Sequence, residues 1–480
     1  MNFFTIIFTI LIFLGFLLLF SSLWAFSYFG LSCFEQIIYH LKVPLEGTNT
    51  EFIYDWFKLC FVKALIITFL CFIPILFIDI YNTYYGFITL SIFALCLLMA
   101  AYKSGLLGFI KNLFSKSDLY EKYYVNANQV KLTFPNKKRN LIHIYVESLE
   151  NTYSSKENGG DYPFDLIPEL SKLAFENTHF THREKLGGAH VVAGTGWTTG
   201  ALVAQSAGVP LFTPLHFRRF KEDNCFLPGV QSLGDILAEQ GYNQEYLIGS
   251  DAMFGGRKFY YDQHGPYEIF DLNSAYQKNK IPKGQKEFWG YDDQTLFTFA
   301  KEELLRLASK SQPFNLSLLT VDTHHPKGYE SSLCKHDYPE RLSNIIRCNS
   351  AQIGSFVEWI KEQSFYENTT IIISGDHLSM AAKYIHETYD KNYDRTIFNA
   401  FINTSTIKQR KTQSFTSFDM FPTTLAALGV DIEGEHLGLG VNLFSQEKTL
   451  VETIGKTKLD KELRKQSEYY RNKILKKSHS

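Results

Sequence analysis

Acidic and imidazole side chains follow three short apolar runs of the chain, at the points where predicted strands end. Glu147 follows Leu141 to Val146, and Asp376 with His377 follows Thr370 to Ser374. The third run, Leu316 to Val321, is followed by Asp322-Thr323-His324-His325. Ligands of open α/β sheets bind beyond the carboxyl ends of the strands, so these residues are predicted to meet at one edge. Their chemistry suits Mn²⁺, Mg²⁺ or Zn²⁺. An acid after one strand is more often a helix cap, but three such strand ends favour a metal site.

The segment from Gly194 to Gly200 is a glycine-bounded cluster of hydroxyl groups, Gly194-Thr195-Gly196-Trp197-Thr198-Thr199-Gly200, followed by the helix-like run Ala201 to Ala207. A helix N-terminus offers free backbone N–H groups and a dipole that favours anions. A metal beside a hydroxyl lowers the hydroxyl pKa and makes its oxygen a nucleophile. An ordinary threonine N-cap is the alternative, and both Thr198 and Thr199 stay open as the reactive residue.

The elements that position these residues are predicted from the alternation of short apolar runs with helix-like stretches. This pattern is typical of an α/β sheet covered on both faces. The predicted strands are Leu141–Val146, Tyr246–Gly249, Leu316–Val321, Thr370–Ser374 and Phe398–Ile402, and the clearest predicted helices span residues 294–309 and 344–363. Residues 115–138 are predicted to be a linker. The basic C-terminal tail, residues 448–480, is predicted to be a solvated helix or frayed end beyond residue 455.

Nearly all long apolar runs of the 480-residue chain lie before residue 103. Residues 1–114 are therefore predicted to form a membrane anchor of about three spans, because about 20 apolar residues cross a bilayer. The predicted spans are Asn2–Phe29, Leu59–Ile78 and Phe87–Tyr102, and Gly105–Phe114 is predicted to lie along the membrane surface. A signal peptide is the alternative for the first run, which lacks a basic start and a small-residue cleavage site.

Charge and cysteine usage limit the possible partners and compartments. The net charge of -1 gives no electrostatic case for a nucleic-acid partner. Lys103, Lys111 and Lys116 follow the third span, which by the positive-inside rule favours a cytoplasmic C-terminal domain. Cys334 and Cys348 bracket a short polar loop, which suits a disulfide if the compartment is oxidising.

Four segments occur together in the order found in a known family. They are Ile144-Tyr145-Val146-Glu147-Ser148-Leu149-Glu150, the Gly194–Gly200 cluster, Asp322-Thr323-His324-His325-Pro326 and Ser374-Gly375-Asp376-His377. Together they resemble the lipoteichoic acid synthase and phosphoglycerol transferase branch of the sulfatase-like proteins, in the alkaline phosphatase superfamily. Ser417 to Leu425, followed by Gly429, also resembles a sulfatase signature, so the resemblance covers residues 139–447. It implies a catalytic domain with a mixed, mostly parallel central sheet. Within it, Thr198 to Leu211 looks closer to the phosphoglycerol transferases that act on periplasmic glucans.

The resemblance implies a role for each matching residue. Glu147, Asp376, His377 and Thr198 would hold one divalent metal, with Mn²⁺ favoured, and Thr198 would be the nucleophile. Three further residues would bind the substrate. His324 would contact the phosphate or protonate the leaving group, Arg257 would contact the phosphoglycerol group, and Asp251 is a weaker match for the glycerol hydroxyls. Gly255 or Gly256 replaces an aromatic residue of the family. Two structural alternatives stay open, a surface ion pair for Arg257 and a structural role for His325.

The implied reaction is transfer of phosphoglycerol from phosphatidylglycerol to a glycan, through a phosphothreonine intermediate and with release of diacylglycerol. Family members keep this domain on the periplasmic or extracellular side of the cytoplasmic membrane. This is the opposite side from the one that the lysines after the third span favour. The alternatives are a phosphoethanolamine transferase, a sulfatase-type hydrolase and a non-catalytic membrane-bound glycan-binding protein. Few cysteines in the soluble domain disfavour the first, and the absence of a Cys/Ser-x-Pro/Ala-x-Arg motif around residues 194–200 disfavours the second. The complete metal set disfavours the third.

Overall fold

The computed structural model describes residues 3–28, 34–43, 51–77, 82–213 and 226–476. The chain divides into two compact units. The N-terminal unit contains residues 1–37 and 49–114, and the C-terminal unit contains residues 38–48 and 115–480.

The N-terminal unit is helical because its sequence is almost uniformly apolar. Among the described residues, three helices are long and apolar enough to cross a membrane, Phe3–Tyr28, Ile53–Ile73 and Gly86–Lys103, which confirms the predicted number. Apolar side chains such as Phe69 and Leu98, each 62% exposed, point outward as lipid-facing residues do. The ends of the first two predicted spans, at Phe29 and Ile78, lie outside the described residues.

The helices of this unit are Phe3–Tyr28, Glu51–Trp56, Val62–Phe77, Asn82–Lys103 and Leu106–Leu113, and a π-helical turn, Phe57–Phe61, joins the second to the third. Gly15 allows close packing between two of the long helices, because a Cβ atom there would lie 3.0 Å from the ring of Phe93. A further helix, Phe34–Lys42, was not predicted, because nine residues are too few for a clear pattern in the sequence.

A six-stranded sheet is the centre of the C-terminal unit, in the order β4-β3-β5-β2-β6-β7. Its strands are β2 (Asn140–Val146), β3 (Asn243–Ile248), β4 (Glu268–Phe270), β5 (Phe314–Leu319), β6 (Thr369–Gly375) and β7 (Asn399–Ile402). All neighbours are parallel except β6 and β7, so the predicted mixed, mostly parallel sheet is confirmed. Two small antiparallel pairs complete the strands, β1 (Leu132–Thr133) with β8 (Asp431–Ile432), and β9 (His436–Leu437) with β10 (Gly440–Val441).

The sheet is buried on both faces, and the alternation of residues along β2 shows how. Ile142 and Ile144 pack in one apolar cluster on one face of the sheet. Leu141 and Tyr145 point to the opposite face, where each packs in a separate apolar cluster. The covering helices are Pro168–Glu176, Thr198–Ala207, Leu233–Glu239, Arg257–Gln263, Leu272–Gln277, Asp293–Ala308, Arg341–Lys361, Ala382–Thr388 and Met420–Ala427. The predicted helices at 294–309 and 344–363 correspond to two of these.

The segments on either side of the predicted catalytic domain belong to the same unit. Leu119 and Tyr120, in the predicted linker, are buried in the helix Leu119–Tyr123. The tail forms the helices Leu450–Ile454 and Lys456–Arg464 and a π-helical turn, Tyr470–Ile474. The predicted helix beyond residue 455 is present, but the tail is neither frayed nor fully solvated, because the side chains of Leu459 and Ile474 are completely buried. These apolar positions are masked in the sequence by the surrounding lysines and arginines.

A disulfide joins Cys334 to Cys348, as the sequence analysis predicted for an oxidising compartment, and it closes a loop with a separation of 14 residues. We expect reduction of this bond to lower the free energy of unfolding by about 3 kcal/mol, because the bond restricts the unfolded chain. Urea unfolding of the full chain in detergent, with and without a thiol reductant, measures the difference. The Cys334→Ser/Cys348→Ser variant is the control and should not respond to the reductant. An equal unfolding midpoint for the wild type in both conditions would contradict the prediction.

Candidate active site

The central strands deliver the predicted metal ligands to one edge of the sheet. β2 ends at Val146 and is followed by Glu147, while β6 ends at Gly375 and is followed by Asp376 and His377. β2 and β6 are adjacent and parallel, with Val146 opposite Gly375, so both carboxyl ends open to the same side. The three side chains are buried.

Ligand atoms of these three side chains lie within 4.8 Å of one another. Nε2 of His377 is 3.5 Å from Oε1 of Glu147 and 3.4 Å from Oδ2 of Asp376. The hydroxyl oxygen of Thr198 is 3.3 Å from the same Nε2. The structure therefore brings together all four residues that the sequence predicts as one metal-binding set.

The hydrogen bonds around these residues leave ligand atoms free for a cation. Oδ1 of Asp376 accepts the backbone N–H groups of Ser148 and His377, at 2.8 and 2.7 Å. Its Oδ2 is buried and accepts no hydrogen bond from the described part of the chain. Nδ1 of His377 is 2.9 Å from the carbonyl oxygen of Leu378, which fixes the tautomer with Nε2 available as a ligand. The donor set therefore fits a divalent metal.

Electrostatics at the site also favour a bound cation. Burial and the charge of Glu147 raise the pKa of Asp376 to about 7. Burial also raises the pKa of Glu147, but His377, His324, the Ser148 hydroxyl and Arg257 together lower it below its ordinary value. Burial lowers the pKa of His377, but the two carboxylates raise it further, so the net pKa lies above the ordinary value. A divalent metal offsets this concentration of negative charge.

The two threonines of the hydroxyl cluster have different environments. Thr199 is buried, and its hydroxyl donates a hydrogen bond to the carbonyl oxygen of Gly255 at 2.8 Å. Thr198 is partly exposed and directs its hydroxyl toward His377. The geometry therefore favours Thr198 as the reactive residue.

The helix Thr198–Ala207 begins at this hydroxyl. Its N-cap residue is Trp197, which makes no side-chain capping hydrogen bond, so the threonine N-cap is not what the structure shows. The first N–H groups of a helix without such a cap are available to an anion. Gly200 is required for the tight entry to the helix, because a Cβ atom there would lie 2.6 Å from the carbonyl oxygen of Gly194.

Arg257 is a buried cation near this set of residues. It is 6% exposed, its Nε atom has no hydrogen-bond partner among the described residues, and no ion pair joins it to a carboxylate there, so a surface ion pair is not what the structure shows. The Nη2 atom of Arg257 donates hydrogen bonds to the hydroxyl of Ser250 at 3.2 Å and to the carbonyl oxygen of Asp251 at 2.9 Å. Its charge lowers the pKa of Glu147. A buried guanidinium that lacks a carboxylate suits a phosphate ligand.

The carboxylate of Asp251 is already engaged by the protein. Oδ1 accepts the backbone N–H of Met253 at 2.8 Å, and Oδ2 accepts the side-chain amide of Asn273 at 3.0 Å. The structure thus places Asp251 next to Arg257 through its backbone, while its role toward glycerol hydroxyls stays a prediction.

His324 is partly exposed and lies close enough to Glu147 for each to affect the pKa of the other. Burial lowers its pKa, and its Nδ1 is 2.7 Å from the carbonyl oxygen of His325, so Nε2 can face a substrate. His325 is buried and stacks on His324 with ring centroids 4.6 Å apart. This arrangement matches a structural role for His325.

Aromatic side chains that the sequence analysis did not single out connect His324 with Arg257. The ring centroid of Trp289 is 4.7 Å from that of His324 and 4.9 Å from that of Phe254. The guanidinium carbon of Arg257 is 5.5 Å from the Phe254 centroid. The resemblance placed Gly255 or Gly256 where the family has an aromatic residue, and these rings come from other positions in the chain. The only sequence signal was the aromatic pair Phe288-Trp289.

A second group of possible metal ligands, His182, His190 and Asp394, is present among the described residues. Two cations already occupy its ligand atoms. Nη2 of Arg183 is 2.8 Å from Nε2 of His182, and Nζ of Lys456 is 3.5 Å from Nδ1 of His190. Both cations oppose a metal here, so Glu147, Asp376 and His377 are the better candidates.

Comparisons with known proteins agree with this geometry. The sulfatase family model matches residues 139–430. The chain is 32% identical over 330 residues to phosphoglycerol transferase I from Escherichia coli (strain 55989 / EAEC), in a match that covers 67% of this chain. That match covers 40% of the relative's own length.

Two solved structures share the fold. One is the lipoteichoic acid synthase LtaP from Listeria monocytogenes, with a TM-score of 0.52, 15% identity, and coverage of 68% of this chain and 81% of that one. The other is the lipooligosaccharide phosphoethanolamine transferase A (EptA) from Neisseria meningitidis, an integral membrane protein, with a TM-score of 0.52, 14% identity, and coverage of 88% and 84%. The family model matches more than half of the chain, and the sequence resemblance is thereby confirmed: the chain belongs to the sulfatase family.

Proposed function

We propose that this protein transfers a phosphoglycerol group from phosphatidylglycerol to a hydroxyl group of a glycan, through a covalent intermediate on Thr198. The observation that carries the proposal is the 3.3 Å distance between the Thr198 hydroxyl and Nε2 of His377, within the metal-ligand set. The name of the relatives, phosphoglycerol transferase I, supports phosphoglycerol as the transferred group. A periplasmic glucan or another envelope polysaccharide is the proposed acceptor.

Glu147, Asp376 and His377 are the proposed ligands of one divalent metal, and Thr198 completes the set. When bound, a metal such as Mn²⁺, which we favour over Mg²⁺ and Zn²⁺, lowers the pKa of the Thr198 hydroxyl and offsets charge on the phosphoryl oxygens. The Arg257 guanidinium binds the phosphate from a second direction. Asp251 is the proposed contact for the glycerol hydroxyls.

The first step forms a glycerophospho-threonine. Thr198, after releasing its proton to solvent, attacks the phosphorus, and the bond from phosphorus to the diacylglycerol oxygen breaks. Binding of the anionic phosphate raises the pKa of His324, so that protonated Nε2 can give its proton to the departing oxygen. The products of this step are diacylglycerol and the covalent intermediate.

The second step regenerates the enzyme. His324, now neutral, accepts the proton of the acceptor hydroxyl while the acceptor oxygen attacks the phosphorus. The bond between phosphorus and the Thr198 oxygen breaks, the threonine oxygen takes a proton back from solvent, and the phosphoglycerol group leaves on the glycan. Two displacement reactions at phosphorus, each with a lower barrier, thus replace one direct transfer.

We also propose that the spans within residues 1–114 anchor the protein in the cytoplasmic membrane as a multi-pass segment. Residues 139–447 and the rest of the C-terminal unit would then lie on the periplasmic or extracellular side. The three candidate spans support the anchor. The Cys334–Cys348 disulfide supports an oxidising compartment. Both agree with a lipid donor that lies in the outer leaflet.

Release of diacylglycerol from liposomes tests the choice of donor. The purified full chain, supplied with Mn²⁺, should release diacylglycerol from phosphatidylglycerol and not from phosphatidylethanolamine. The reverse preference would contradict the proposal and indicate a phosphoethanolamine transferase. Release of free glycerol phosphate without any transfer to added glucan would indicate a hydrolase.

Arg257→Lys should raise KM for phosphatidylglycerol by about 10- to 100-fold, because a lysine cannot make the two-pronged contact of a guanidinium with phosphate. We expect a smaller change in kcat. Arg410→Lys is the matched control, since the guanidinium of Arg410 pairs with Glu452 and, among the described residues, has no hydrogen bond or ion pair to a proposed site residue. Equal KM values for the two variants would show that Arg257 does not bind the phosphate.

A further inference from the structure

A segment that precedes two of the three candidate membrane spans in sequence belongs to the catalytic unit. Residues 38–48 are part of the C-terminal unit, and the structure describes Ile38 to Val43 of this segment. The side chains of Ile38, Tyr39 and Val43 are buried, with Tyr39 fully inaccessible. Tyr39 and Val43 belong to the same apolar cluster as Trp197 and Phe226, so this segment packs in the core of the C-terminal unit.

The Tyr39 hydroxyl donates a hydrogen bond to the carbonyl oxygen of Gly255 at 2.5 Å. The same carbonyl oxygen accepts the hydroxyl of Thr199 at 2.8 Å. The Tyr39 ring also packs against Trp197, with ring centroids 5.5 Å apart. One backbone carbonyl therefore connects Tyr39 with the helix turn that carries Thr198.

Gly255 and Gly256 form a turn that has little conformational preference of its own. Both have positive φ angles, +67° and +77°, and Arg257 follows directly at the start of its helix. Glycine can leave such angles at little cost. The turn has local backbone hydrogen bonds, from Gly256 to Met253 and from Lys258 to Ala252, and contacts from another segment add to them. Tyr39 and Val43 supply these contacts at Gly256, where a Cβ atom would lie 3.3 Å from the Tyr39 hydroxyl and 3.5 Å from Val43.

Tyr39 thus contacts both parts of the site that must be aligned. On one side it holds the turn that orients Arg257, and on the other it shares an acceptor with the neighbour of Thr198. Burial raises the pKa of the Tyr39 hydroxyl, and the positive charge of Arg257 opposes that rise. The hydroxyl donates to a backbone carbonyl, a contact that suits a positioning role.

We propose that Tyr39 is a positioning residue for the transfer reaction. Its hydroxyl fixes the Gly255 carbonyl and thereby aligns the phosphate-binding Arg257 with the nucleophile Thr198. The proposal rests on the proposed function for its effect on turnover. It implies that residues 115–480, produced without the segment around Tyr39, form an incomplete active site.

The test uses the full chain with Tyr39→Phe, Thr199→Val and the double variant. Tyr242→Phe is the matched control, because the hydroxyl of this buried tyrosine also donates to a backbone carbonyl, that of Arg139 at 2.8 Å, at the opposite ends of the strands. We expect Tyr39→Phe to lower kcat for diacylglycerol release about three- to tenfold, and Tyr242→Phe to leave it within twofold. Because the two hydroxyls share one acceptor, the effect of the double variant should differ at least twofold from the product of the single effects.

Amide hydrogen exchange, followed by mass spectrometry, gives a readout that does not depend on the donor. Tyr39→Phe should speed exchange in the peptides that contain residues 194–200 and 252–258, and Tyr242→Phe should not. Unchanged exchange in both peptides, or single effects on kcat that simply multiply, would overturn the positioning role. Faster exchange without diacylglycerol release by the wild type would retain the positioning role and reject the proposed donor.

Discussion

Thr198→Ala should reduce kcat for diacylglycerol release by about 10³-fold or more, because the variant lacks the oxygen that forms the covalent intermediate. Thr198→Ser retains a hydroxyl at the same position and should keep measurable activity. The measurement is the steady-state rate of release from phosphatidylglycerol liposomes, with each variant at equal concentration and metal content.

The neighbouring threonine provides the matched control for this variant. Thr199→Ala loses a hydrogen bond to Gly255 and should lower kcat by no more than about tenfold. Both variants remove the same atoms from adjacent residues, so general damage to the helix Thr198–Ala207 should affect them equally. A larger loss of kcat in Thr199→Ala than in Thr198→Ala would identify Thr199 as the nucleophile.

Asp376→Asn should abolish tight binding of the divalent metal and lower kcat by about 10²-fold or more. The substitution keeps the shape of the side chain and can keep the Oδ1 atom that accepts two backbone N–H groups. It replaces Oδ2, which has no hydrogen-bond partner among the described residues, by an amide nitrogen that does not bind a metal. The effect should therefore fall on the metal and not on the fold.

Metal content after dialysis against Mn²⁺, measured by inductively coupled plasma mass spectrometry, should be one per wild-type chain and near zero in Asp376→Asn. Asp394→Asn is the control, because Asp394 belongs to the second ligand group, which two cations already occupy. It should retain one metal and full activity. A chelator should inactivate the wild type, and added Mn²⁺ should restore it. Full activity of the metal-free wild type would contradict a metal-assisted reaction.

Sequence patterns predicted the elements that lie in the centre of the fold. Residues such as Ile144 and Ile373 are in strands buried on both faces, so apolar composition alone marks them. β4 has only three residues, Glu268 to Phe270, and is too short to produce a pattern. The buried tail residues, such as Leu459, are separated by charged residues whose side chains point outward, and this spacing concealed their burial.

The proximity of Glu147, Asp376 and His377 could be predicted because they follow the ends of two strands, and neighbouring parallel strands end at the same edge of the sheet. Residues that depend on long-range packing could not be predicted in this way. Tyr39 is 216 positions from Gly255 in sequence, and nothing in its local sequence indicates that contact. The contact between Trp289 and His324 likewise depends on the path of a loop, which the local sequence does not indicate.

The proposed reaction depends on a covalent intermediate on Thr198, which mass spectrometry of the full chain can detect after incubation with phosphatidylglycerol and Mn²⁺ without an acceptor. We expect a glycerophosphate adduct on the peptide that contains residues 194–200, located at Thr198 and absent from Thr198→Ala. Diacylglycerol release by the wild type without any adduct on that peptide would contradict the covalent mechanism.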